Sequence, residues 1–159
     1  MNSAQTYGDI NPAIGDMLRS ARDFLTHEHS LFRTLDLKPI LIGKGKATFS
    51  MSLPKEFAAA DGSIHGGLYT IILDSIFGLA VFTALEQITP IATINLRTDY
   101  IAAIKPGARA VCEAECEAVE GEVAHVSGRL LNEGTRALLA KASGAFIVGA
   151  KGPPAGMML

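Results

Sequence analysis

The chain of 159 residues lacks the marks of several large protein classes. It has no excess of positive charge: 14 Lys and Arg stand against 16 Asp and Glu, a formal net charge of −2, with a pI near 6.1. A surface that tracks phosphates needs clustered basic residues, so nucleic acid is not expected as a partner. Cysteine is scarce. Cys112 and Cys116 are the only two, too few and too close in sequence for a disulfide framework. Nothing in that usage points to an oxidising compartment, and a cytoplasmic location is expected. Met1 to Ile10 lacks the basic and then apolar profile of a signal peptide. There is no internal repeat, no low-complexity segment and no zinc spacing. His27 and His29 are two apart, which points them to different sides of a helix, so no metal is expected. The length sets one domain as the prior. At 16.7 kDa the folded chain should expose roughly 7,600 Å² against about 24,000 Å² unfolded. That burial supports a core without metal or disulfide staples.

One stretch invites a membrane reading. Leu68 to Leu85 is apolar except for Tyr69, Thr70, Asp74, Ser75, Gly78 and Thr83. A carboxylate near the middle of a span costs about 2.5–3.5 kcal/mol, and no basic flanks orient this one. The stretch is therefore read as a helix buried in a soluble protein, with no membrane partner. Around it, Asn11-Pro12 looks like a cap followed by a first helical residue. Ile14, Leu18, Ala21 and Leu25 recur at helical spacing, which predicts one amphipathic helix from Pro12 to about Arg33, broken near Thr26 if anywhere. Lys38 to Leu53 reads as two short strands around Gly43-Lys44-Gly45, with Pro39 weakening the first. Pro54 to Ser63 reads as a loop. After Pro90, strands are expected over Ala92–Ile104, from Ala110, over Val123–Leu131 and over Arg136–Val148, separated by Gly-containing turns. On the second of these, Ala110, Cys112, Ala114, Cys116 and Ala118 share one face, opposite Val111 and three glutamates. The fold class is α+β. A helix apolar nearly all round must be covered on most sides, so the antiparallel sheet should curl around it, with partner contacts covering what remains.

The chemistry gathers at the start of that helix. Gly66 and Gly67 expose backbone N–H groups that lack intrahelical partners. With the positive end of the helix dipole, such donors suit a developing oxyanion. A tight loop-to-helix turn would use the same two glycines. Asp74 is the only charge between His65 and Glu86. Buried, it needs hydrogen bonds, water or a polar cavity, with Ser75 and Thr70 as local candidates. A structural, fully satisfied aspartate is the other reading. Gly78, one turn later, leaves room beside the carboxylate. Gly66 and Asp74 are eight residues apart, about 12 Å along a straight helix. One carbonyl cannot lie about 3 Å from both. If both act on one substrate they must come from two copies of the helix, which predicts an obligate dimer with two composite sites.

At these residues the sequence resembles the hotdog-fold acyl-CoA thioesterases of the PaaI (phenylacetate-degradation) type. The resemblance is carried by His65-Gly66-Gly67, Asp74 nine residues after the histidine, the Gly78 and Ala80 that follow, and the strand Thr93-Ile94-Asn95-Leu96-Arg97-Thr98-Asp99-Tyr100. It covers roughly Lys38 to Val148. It implies a five- or six-stranded antiparallel sheet wrapped around the long helix, paired into homodimers and often homotetramers. It divides the chain into an N-terminal tail and amphipathic helix (1–35), a hotdog thioesterase domain (36–148) and a flexible tail (149–159). It implies hydrolysis of a small or medium acyl-CoA, aliphatic or aromatic, to the free acid and CoA, with no cofactor beyond the CoA of the substrate. The Gly66 amide, beside Gly67, would polarise the carbonyl, and Asp74 would act as general base on water or as nucleophile. His65 would shape the site. Thr93 matches a position where some relatives carry a serine near the attacking water. Gly78, Ser75, Asn95, Ile71 and Phe77 are the substrate-binding candidates. In one departure, Ala59 stands where some relatives have an asparagine six residues before the motif histidine. That absence motivates, as an alternative, a non-catalytic acyl-CoA binding module; an acyl-thioester hydratase, further off, shares the same scaffold.

Other residues are set aside. Cys112 and Cys116 read as small core residues with no histidine nearby in sequence. Ser63 and Ser75 lack the G-x-S-x-G setting of a serine nucleophile. Arg97, Arg129, Arg136 and Lys141 serve solubility as readily as CoA phosphates.

Overall fold

A computed structural model of the protein describes residues 7–23 and 28–151. Thr26, His27 and the tail after Lys151 lie outside the described residues. The leading helix expected from Pro12 to Arg33 is two helices, α1 (Pro12–Asp23) and α2 (Ser30–Thr34). The reason is local: His29 is extended, at φ −74° and ψ 109°, and its side chain accepts from the Phe32 N–H as the cap of α2. Asn11 caps α1, accepting from the Ala13 N–H at 3.0 Å. Its amide also donates to the Glu86 carbonyl at 2.9 Å, which ties α1 to the end of the central helix.

A two-residue strand β1 (Tyr7–Gly8) pairs in parallel with β2 (Lys38–Gly43). β2 and β3 (Lys46–Ser52) form the expected hairpin. Gly45 turns it at φ +68°, a conformation that glycine adopts without a Cβ penalty. Pro39 does not abolish β2; the ladder shifts register between Pro39 and Leu41 instead. One turn of 3-10 helix, Lys55–Phe57, lies in the loop before the central helix α3 (Gly66–Ala84). Then come β4 (Ile91–Tyr100), β5 (Arg109–Glu120), β6 (Val123–Asn132) and β7 (Leu138–Val148).

The strand order is β1-β2-β3-β5-β6-β7-β4, and β2 to β7 pair antiparallel throughout. β4 precedes β5 in sequence yet crosses to the far edge, where β7 is its neighbour. The sheet wraps α3, whose Leu68, Ile72, Leu73, Ile76, Phe77, Ala80 and Val81 are buried. α3 has the length and hydropathy of a membrane span, but it packs on β5, β3, β6 and β4 as a core helix. Close approach follows from small residues: Ala110, Cys112 and Ala114 on β5 all join the core. At Gly128 a Cβ would stand 2.6 Å from Phe77 Cε1 and 2.3 Å from the Glu113 carbonyl oxygen, so only glycine lets Phe77 seat there. The expected alternation of β5 is interrupted by a register shift between Cys116 and Ala118, so the run of small residues on one face ends at Cys116. The architecture is the hotdog fold.

Candidate active site

The sheet covers one side of α3 and leaves a strip of the other side partly open. Thr70, Asp74, Ser75 and Gly78 are half-buried there, and Ile71 is exposed. β4 runs along this strip in the opposite direction, so its start meets Gly78 and its end meets Gly66. Ile91 Cδ1 would touch a Cβ at Gly78, Thr93 meets Asp74, Thr98 meets Thr70, and Tyr100 meets Gly66. These contacts fall on odd positions at one end of β4 and even positions at the other. The cause is a bulge: Thr93 pairs with Phe146 and Asn95 with Ala145, leaving Ile94 without a partner. A bulge adds one residue and inverts which neighbours face the core, and it often re-aims a side chain beside an active site.

The strip opens at the N-terminus of α3. His65, extended at φ −61° and ψ 127°, is the cap, and its Nδ1 accepts from the Gly67 N–H at 3.0 Å. Nδ1 can accept only while unprotonated, so the ring proton sits on Nε2. The Leu68 N–H donates to the His65 carbonyl at 3.0 Å. The Gly67 and Leu68 donors are thus taken, and among the described residues the Gly66 N–H has no acceptor. The loop before it is held by the His65 N–H on the Phe57 carbonyl and the Ile64 N–H on the Ile104 carbonyl, at 2.8 and 2.9 Å. Ala59 lies in a tight turn of that loop, its N–H on the Ser63 carbonyl at 2.7 Å.

Asp74 Oδ1 accepts from Thr93 Oγ1 at 2.8 Å. The local partners expected for it are engaged elsewhere. Ser75 Oγ donates to the Ile71 carbonyl one turn back, and Thr70 bonds Thr98 and Tyr100. The structure therefore brings together Asp74 with Thr93, and His65 with Gly66 and Gly67. Gly78 sits one turn beyond Asp74 on the open strip, in ordinary contact range of Ile91. Two expected substrate-binding residues are placed elsewhere. Phe77 is fully buried and presses on Gly128, so it belongs to the core. Asn95 neighbours the core-packed Leu96, and strand alternation turns it to the outer face. Thr98 and Tyr100 join Thr70 on this strip, and spacing had not singled out either of them as a site residue. Burial raises the pKa of the Cys112 thiol well above its ordinary value and raises that of Cys116 as well, which leaves neither a thiolate nucleophile. Arg129 and Arg136 both bind Glu113, and Arg97 binds Asp99.

The site thus sets the Gly66 amide at the helix start and the Thr93-held Asp74 carboxylate two turns apart, on a helix enclosed by a curved antiparallel sheet. Residues 61–138 match the family described as Thioesterase superfamily. A Saccharolobus solfataricus protein whose name is that of an esterase is 30% identical over 83 residues, an alignment spanning 50% of this chain and 59% of that protein. The phenylacetic acid degradation protein PaaI of Thermus thermophilus, solved as an Asn→Asp variant, superposes with a TM-score of 0.65 at 25% identity, over 73% of this chain and 96% of that one. A Streptococcus pneumoniae protein described as a hypothetical thioesterase, solved with coenzyme A, superposes with a TM-score of 0.70 at 19% identity, over 80% and 95% of the two chains. The chain thus has the hotdog fold and, over residues 61–138, is similar to the thioesterase superfamily, with PaaI among its solved structural neighbours.

Proposed function

We propose that the protein hydrolyses acyl-CoA thioesters at sites built by two protomers. The observation that carries this reading is the separation of a free Gly66 N–H from the Thr93-bound Asp74 carboxylate by about 12 Å of helix. An antiparallel pair of α3 helices brings the Gly66 end of one protomer beside Asp74 of the other. The Gly66 N–H polarises the thioester carbonyl. Asp74 takes a proton from water as its oxygen bonds the carbonyl carbon, and Thr93 fixes the carboxylate oxygen that does not. The tetrahedral oxyanion rests on the amide and the helix dipole. Collapse breaks the carbon–sulfur bond, and the proton on Asp74 passes to the departing CoA sulfur. Direct attack by Asp74 would form an anhydride for water to open, with the same residues. The superfamily match and the coenzyme A bound to the pneumococcal relative support the substrate class.

Dimerisation is supported by the open strip itself. β4 is the edge strand, paired with β7 on one side alone, and Ile94 on it is 52% exposed, as are Ile101 just after it at 52% and Ile71 on α3 at 46%. Such an edge is a template for pairing with another chain. We place the protein in the cytoplasm, where CoA esters and unpaired cysteines are both at home, and a pair of dimers is the larger assembly that the family resemblance implies.

Thiol release across aliphatic and aromatic CoA esters tests the activity. Asp74→Ala is expected to lower kcat about 10²–10⁴-fold with a much smaller change in KM. Undiminished turnover in that variant would falsify the role of Asp74. A second reading, a non-catalytic acyl-CoA binding module, draws on Ala59, which brings no polar side chain to the loop before His65. It is favoured only if calorimetry finds CoA-ester binding while no thiol is released.

A further inference from the structure

The strip between α3 and β4 holds hydroxyls that the steps above do not use. Thr70 stands four residues from Gly66 and four from Asp74, on one face of the helix. Its Oγ1 donates to Thr98 Oγ1 at 3.1 Å and lies 2.6 Å from the Tyr100 hydroxyl. A threonine hydroxyl has one hydrogen. With that given to Thr98, the phenol donates to Thr70. The Tyr100 ring also rests against Gly66: a Cβ there would stand 3.1 Å from Cε1 and 3.2 Å from Cδ1. Held at its tip and one edge, the residue is still 57% exposed.

We propose that Tyr100, held by Thr70, is the positioning residue of the Gly66 half of the composite site. It therefore serves the reaction at the other protomer's Asp74, not at its own. An oxyanion donor gains most when it is fixed before charge develops and when water is kept away from it. Gly66 has no side chain to do either. The Tyr100 ring braces its Cα and covers that side of the first turn, and Thr70 fixes the ring. The same contact accounts for glycine at 66, since a methyl there would push the ring by a few tenths of an ångström and pull the phenol from Thr70. The assignment rests on the two-protomer thioesterase reading above, and the test separates the two.

Asp74→Ala, Tyr100→Phe and Tyr100→Ala are prepared as homodimers. Mixed dimers of Asp74→Ala with Tyr100→Ala are isolated through two affinity tags, with thermal melts to check folding. Tyr100→Phe is expected to lower kcat about 3–10-fold, as for one lost hydrogen bond, and Tyr100→Ala about 30–100-fold, each with KM within about twofold. The mixed dimer is expected to regain about half the wild-type activity, because one of its two sites keeps both wild-type residues. Gly66→Ala is expected to cost less in the Tyr100→Ala background than alone, because the ring it displaces is gone. Should Tyr100→Ala not fold, Thr70→Val with Tyr100→Phe takes its place in the mixed dimer. Full kcat in the Tyr100 variants beside an inactive Asp74→Ala overturns the positioning role alone. A mixed dimer no more active than its parents overturns the assignment to opposite protomers. Full activity in Asp74→Ala overturns the two-protomer mechanism beneath both, and no thiol release from the wild type overturns the hydrolytic reading.

Discussion

The two sides of α3 share one nineteen-residue segment and have opposite chemistry. On one side Leu68, Ile72, Leu73, Ile76, Phe77 and Ala80 are buried against β3, β5 and β6. On the other, Thr70, Asp74, Ser75 and Gly78 line a half-open strip that β4 covers within the protomer. The contrast arises less from the helix, which is apolar nearly all round, than from the sheet. β4 ends the sheet, so the wrapping stops at Asp74. The carboxylate escapes the penalty of full burial while keeping a fixed hydrogen bond from Thr93. What a solitary polar residue in an apolar helix shows, then, is where the sheet stops.

The largest stability effect should come from breaking the closed side. Phe77→Ala is expected to cost about 3–5 kcal/mol, whereas Ile71→Ala, six residues away on the open side, should stay within about 0.5 kcal/mol for the protomer. Denaturant unfolding at one fixed protein concentration checks both, and similar costs would erase the contrast. The open side should instead answer in turnover. Thr93→Val removes a hydrogen bond to a carboxylate, so kcat is expected to fall about 10-fold or more with the unfolding midpoint nearly unchanged. A pure loss of stability would make Thr93 a packing residue.

A modest, pH-dependent effect belongs to the outer face of the sheet. Burial opposes the charge on Glu113, but the Arg129 and Arg136 guanidiniums outweigh it and hold its pKa below the ordinary value near 4.5. A carboxyl with a lowered folded pKa stabilises above its unfolded value, and that contribution is lost as pH falls through the folded one. Glu113→Gln should therefore cost about 0.5–1 kcal/mol at neutral pH. The difference from wild type should shrink as pH drops below about 4. A gap that stays constant down to acid pH would show that the pair contributes through packing alone.

Much of this was legible in the sequence, and the rest had definite physical reasons to be hidden. The lone Asp74 and the Gly66-Gly67 opening stand out because charge and glycine are costly in a buried helix. If both act on one substrate, their spacing calls for two protomers. Strand positions followed from alternation, although nothing local told β4 to cross to the edge. The bulge at Ile94 has no glycine or proline to announce it, and without it Thr93 and Thr98 could not both face α3. Phe77 and Ile71 are equally apolar, so which one the sheet covers is decided by Gly128 on a strand some fifty residues later. Likewise His65 reads as a motif residue, but its work as a cap that occupies the Gly67 N–H is visible only in three dimensions. That cap narrows two candidate amides to one.

Sharing of each site between two protomers is tested most directly by dilution. Specific activity on a saturating CoA ester and molecular mass are measured on the same samples across a concentration series. Activity is expected to fall in step with the dimer fraction and to return on reconcentration. A monomer that hydrolyses the ester at the full rate would contradict it.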